Sequence, residues 1–242
     1  MLPAKNRGDA SSLSLTHRAR HKARGCMGAV SGLPISEVRG LDMAGPVAAE
    51  HGIVCRLPGE RLGYFGWPTV ARLEDGRLVV ASSGLRTEHV CPWGKTVLNF
   101  SDDDGRTWSP PQVIQDSAID DRDAGVIGLG GARLLVSWFR SDTRQYAGAS
   151  WIPEAERAKW QEVLATWTDD MVNALLGSWI LRSEDGGSTW GEPIRVPVST
   201  PHGPIRLRSG ELLYLGKEYG YPEEKVQGMI ATCRSRDDGL TW

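Results

Sequence analysis

From residue 52 onward, apolar residues come in short runs separated by Gly, Asp and Ser, which is the rhythm of strands and tight turns. Thr69 to Leu73 is followed by Glu74-Asp75-Gly76 and then by Leu78 to Ser82. Gly125 to Leu129 turns into Leu134 to Phe139, and Ile205 to Leu207 passes through Arg208-Ser209-Gly210 into Leu212 to Leu215. Asp-Gly and Ser-Gly between such runs predict hairpins, because glycine takes positive φ at no steric cost. One segment departs from the rhythm. Residues 153–176 place Trp160, Val163, Leu164, Trp167, Met171 and Leu175 at helical spacing, and Pro153 suits a first turn. The pattern therefore predicts an all-β chain with a short amphipathic insertion of one helix or two.

A repeat sharpens the reading. Ser101-x-Asp103-x-Gly105-x-Thr107-Trp108, Ser183-x-Asp185-x-Gly187-x-Thr189-Trp190 and Ser235-x-Asp237-x-Gly239-x-Thr241-Trp242 share one pattern, S-x-D-x-G-x-T-W. In a hairpin turn the Asp accepts backbone N–H bonds, Thr ties its hydroxyl back into the loop, and Trp packs against neighbouring structure. The pattern resembles the Asp box of the sialidase (BNR-repeat) superfamily. The boxes begin 82 and 52 residues apart, against roughly 40–50 residues for one propeller blade. The helical insertion accounts for most of the longer interval. The resemblance implies four-stranded blades over 66–115, 123–198 and 204–242, about three of the six that such a ring needs, within a domain spanning 52–242. It implies a fragment of a longer protein, whose open edges invite self-association. It also implies that the box Asp residues are structural and peripheral.

Where chemistry lies follows from the same resemblance. Sialidases hold a sugar carboxylate with arginines, whose planar forks match it bidentately, and they pair a Tyr nucleophile with an Asp acid/base. The first arginine normally opens blade one in an R-I-P motif, but here that stretch reads Gly66-Trp67-Pro68. Arg86 fits the place of the next arginine, and after it only Glu88 and His89 carry ionisable groups. Asp120-Asp121-Arg122-Asp123 is the densest ionisable cluster. It reads either as a solvated turn or, leading into a strand that lines the channel, as a site with Asp121 or Asp123 as proton donor and Arg122 on the substrate. Arg140 stands at the place equivalent to Arg86 one blade on. His202 opens blade three, and Lys217 and Tyr219 follow its second strand. Trp67 and Trp93 are candidates to stack on sugar rings.

Composition narrows the partners. The 242 residues carry a net charge of −2, which gives nucleic acid or an anionic membrane no hold. No apolar run reaches the roughly 20 residues of a membrane helix, so a soluble chain is expected. Four cysteines lie far apart, with no metal-ligand spacing beyond a loose His89, Cys91 and His202 set, and no nucleotide motif is present. The chain is expected to need neither cofactor nor metal. Residues 1–45 are basic, Ser-rich and poor in acids, which suits a transit-like segment or an unstructured tail. The functional expectation is a sialidase-like glycoside hydrolase acting on carbohydrate. The alternatives are a non-catalytic glycan- or protein-binding propeller, or a polysaccharide lyase on the same fold.

Overall fold

Runs such as LVVASSGLR and RLLVSWFRS send alternate side chains to opposite faces, and where both faces find partners almost every position is buried. The computed structural model describes residues 50–218 and 229–242, where the strands gather in three four-stranded antiparallel sheets. The first holds β1 (Tyr64–Arg72), β2 (Leu78–Arg86), β3 (Lys95–Ser101) and β4 (Gln112–Gln115), paired in that order. In the second, β5 (Asp120–Gly130), β6 (Arg133–Ser141), β7 (Gly177–Ser183) and β8 (Ile194–Val196) follow the same order. The third contains β9 (Val198–Ser199), β10 (Ile205–Arg206), β11 (Leu212–Glu218) and β12 (Ile230–Ser235). Both β9 and β10 pair with β11, like one strand interrupted around His202. The expected basic tail (residues 1–45) and Tyr219 lie outside the described residues.

Two apolar cores bind the sheets face to face. Leu134 and Val136 of β6 join Val79, Ala81 and Leu98 of the first sheet. Leu135 points the other way and joins Leu129, Ile180, Leu212 and Tyr214. The central sheet is thus buried on both faces, which explains its near-continuous apolar text. Val70 and Val113 on the first sheet, and Ile205, Leu215 and Ile230 on the third, remain exposed on the outer flanks.

Between β6 and β7 stand α1 (Glu154–Leu164) and α2 (Asp169–Leu175), so the insertion is two helices. Thr168 caps α2 by accepting from the Met171 N–H at 3.2 Å. Trp160, 1% exposed, packs with Val90, Cys91 and Ile152, which fastens α1 to the loop after β2.

The boxes follow β3, β7 and β12 and repeat one bonding scheme. The Ser hydroxyl donates to Asp Oδ1 at 2.8, 2.8 and 2.7 Å, and the Thr hydroxyl donates to Asp Oδ2 at 2.6 Å in all three. Thr N–H donates to Asp Oδ1, and the box glycine's N–H reaches the Ser hydroxyl. Trp108 and Trp242 donate their indole N–H to the carbonyls of Gly105 and Gly239, while Trp190 packs its ring on the first core. These bonds hold Asp103, Asp185 and Asp237 down to about 2, the Thr hydroxyl contributing most.

Candidate functional site

Three sheets place one side chain each at an equivalent kink. The β1–β2 register slips between Gly66 and Thr69, and the β5–β6 register slips between Arg122 and Gly125. At these bulges Trp67 and Asp123 both have φ of 51°, and His202, between β9 and β10, has φ of 73°. A left-handed residue other than glycine costs on the order of 1–3 kcal/mol, and such strain concentrates where function needs it. The kinks are stitched together. Thr69 Oγ1 donates to the Ala124 carbonyl at 3.1 Å and lies 2.7 Å from His202 Nδ1. Thr69 thus ties the bend of the second sheet to the His202 ring of the third. Gly125 makes the approach possible, since a Cβ there would meet the His202 carbonyl carbon at 2.4 Å.

The four charged residues 120–123 belong to β5 itself, not to a solvated turn ahead of it. Asp120 is fully buried, with Oδ2 accepting from Arg86 Nη2 at 2.9 Å. Arg86 Nη1 stands 2.8 Å from Oδ1 without the alignment of a hydrogen bond, and donates to the Asp121 carbonyl at 3.0 Å. Arg86 Nε and Nη2 also donate to the Glu88 and His89 carbonyls. Burial pushes Asp120 up to about 6 against the pull of Arg86, so the carboxylate is still ionised at neutral pH. Gly94 closes over this pair, where a Cβ would come within 1.9 Å of Arg86 Nη1.

Asp121 is equally sealed. Its Oδ1 accepts from Trp138 Nε1 at 2.9 Å and from Arg140 Nε at 3.2 Å, and Oδ2 accepts from the Ser117 N–H at 2.7 Å. Asp123 differs. Ser83 Oγ accepts its backbone N–H at 2.6 Å, yet carboxyl Oδ1 is buried with no hydrogen-bond partner among the described residues. Burial raises its pKa, opposed by Arg122, Arg86, His89 and His202 in that order. Arg122 Nε lies 4.0 Å from Asp123 Oδ1 and 3.9 Å from Asp120 Oδ2, and it too lacks a hydrogen bond. The Arg122 guanidinium lies over Trp67 at 5.4 Å, and Trp67 meets the His89 ring at 4.4 Å. Burial and then Arg122 lower the pKa of His89, favouring the neutral imidazole.

These positions revise several expectations. Arg86 and Arg140 are 0% and 5% exposed and tied to Asp120 and Asp121, which makes them internal counter-ions, not arms toward a substrate carboxylate. Arg140 also lies 4.6 Å from the Trp179 ring centre. Asp121 is fully buried with both carboxyl oxygens bonded inside the protein, which leaves it no exposed surface from which to give a proton to a substrate. Asp123, Arg122, His89 and Trp67 are brought together, with His202 joined through Thr69. Lys217 is exposed on β11 opposite Ser199. Trp93 packs under Arg61 and against Trp160, a structural position. Among the described residues, His89, Cys91 and His202 form no metal-binding group. The sequence pattern gave no role to Thr69 or Ser83, and did not show Asp120 as the partner of Arg86. Their roles arise from contacts 34 to 133 residues away in the chain, which no local pattern reports.

No known family profile matches the sequence, and no curated protein matches it either. Solved structures do match. A Dyadobacter fermentans protein of unknown function shares 20% identity at a TM-score of 0.51, covering 78% of this chain and 56% of that one. A mutant of the NanB sialidase from Streptococcus pneumoniae shares 12% identity at a TM-score of 0.51, over 81% of this chain and 46% of its own. The chain thus spans about half the length of the structures it matches.

Proposed function

On the premise of the sialidase-like propeller fold that the described residues carry, we propose that this chain acts on carbohydrate as a glycoside hydrolase. Asp123 is the proton donor and Arg122 the charged group facing the sugar. The observation that carries this reading is the buried Oδ1 of Asp123, at a strained bulge and without a hydrogen-bond partner among the described residues. The raised pKa keeps the carboxyl protonated to higher pH than usual, so it can deliver a proton to the glycosidic oxygen as that bond to the anomeric carbon breaks; water supplies the new oxygen on that carbon, and its released proton restores the acid. Arg122 balances the charge left on Asp123, and Trp67 offers an aromatic face beside it. His202 brings an imidazole from the third sheet to the same group through Thr69.

The test is hydrolysis of fluorogenic glycosides, one sialoside and one neutral sugar. Asp123→Asn is expected to cut turnover by roughly 10²- to 10⁴-fold, with the melting temperature preserved. Wild-type rates should fall as pH rises through the raised Asp123 pKa, because the acid form is the active one. Unchanged turnover in Asp123→Asn overturns the assignment. A second reading, glycan binding without catalysis, is favoured by the internal pairing of Arg86 and Arg140. It leads if the folded protein binds saccharides and hydrolyses neither substrate.

A further inference from the structure

Beside His89 opens a cleft of about 470 Å³ lined by Glu88, His89, Val90, Tyr146 and Trp151. One wall is the loop after β2, and the other is the segment leading into the helical insertion. Both walls are anchored. The first is tied down by Arg86, which donates hydrogen bonds to the Glu88 and His89 carbonyls. On the opposite side, Arg144 is clamped by Asp142 and reaches Asp169 of α2 at 2.7 Å, one residue pair before Tyr146. Trp151 is held edge-to-face by Trp160 at 5.9 Å and tilted against Tyr146 at 6.1 Å, yet stays 47% exposed.

An exposed indole costs free energy unless something covers it, and this one is held rigid in a concave site. Beside it stand one carboxylate and one neutral imidazole. A ligand that fits has an apolar face to lie on the rings and a hydroxyl-rich edge to meet Glu88 and His89. A pyranose ring has that chemistry. His89 links the cleft to the Asp123 group, because it lines the one and its ring meets Trp67 of the other.

We propose that the cleft is a second sugar-binding subsite, taking the neighbouring ring of an oligosaccharide whose terminal ring sits at Asp123. The proposal rests on the carbohydrate reading above but not on catalysis. The direct test is calorimetric binding of 3′-sialyllactose and maltotriose, each compared with its terminal monosaccharide. At least one trisaccharide should bind about tenfold more tightly than its monosaccharide. Trp151→Ala should erase that ratio while leaving monosaccharide affinity and melting temperature unchanged, and Trp151→Phe should restore most of it. Asp123→Asn should keep the ratio. Equal affinity for both sugar lengths, or no binding of any, overturns the subsite, as does a ratio that survives Trp151→Ala. Hydrolysis without a length preference removes the subsite and leaves the hydrolase. A length preference without hydrolysis does the reverse.

Discussion

At the residue scale, burial separates side chains of identical chemistry. Asp120 and Asp121 are sealed with their arginines, while Asp123, two positions on, keeps an oxygen with no hydrogen-bond partner among the described residues. Removing one member of a buried pair strands the other as an uncompensated charge, a loss of about 3–5 kcal/mol. Arg86→Ala should therefore lower stability by that much in a urea titration. Arg122→Ala, whose side chain makes no hydrogen bond through Nε, should shift stability far less while weakening sugar binding. The sequence made the cluster visible but not this division of labour. Arg86 looked like a substrate ligand because the resemblance put an arginine there. Its partner sits 34 residues on, in a stretch too charged to read as the core of a strand.

The elements were more legible, because their signals are local. The boxes carry their whole bonding scheme within eight residues, so pattern and structure coincide. They also make a pH prediction with a definite sign. Asp103, Asp185 and Asp237 are held at about 2 in the fold and return to about 3.9 when unfolded. Below that, the unfolded chain binds protons first, so the stabilisation is complete above about pH 4 and drains as pH falls toward about 2. The melting temperature should drop across that window. A triple variant, Thr107→Val, Thr189→Val and Thr241→Val, should show a shallower drop, because the largest contribution to the low pKa values is gone. The two insertion helices were legible from spacing. Their task was not, since it depends on Trp160 reaching Val90 and Cys91 from 70 residues away.

For the whole molecule, the central sheet is the hinge of stability, since it supplies residues to both cores. Leu135→Ala leaves a cavity worth about 2–5 kcal/mol. Although Leu135 touches only the second core, near-ultraviolet and far-ultraviolet dichroism should lose signal together at one lowered midpoint. Separate midpoints would mean that the sheets melt independently. The kinks at Trp67, Asp123 and His202 have a consequence of another kind. The bend at Asp123 is held by the Ser83 hydroxyl on its own N–H and by Thr69 on the next carbonyl, while at His202 the Thr69 stitch reaches the imidazole itself. The three bends are sockets of one kind, and an indole, a carboxyl and an imidazole are what this chain displays in them. New chemistry on such a frame would come from changing the plugs, with the wiring left where it is.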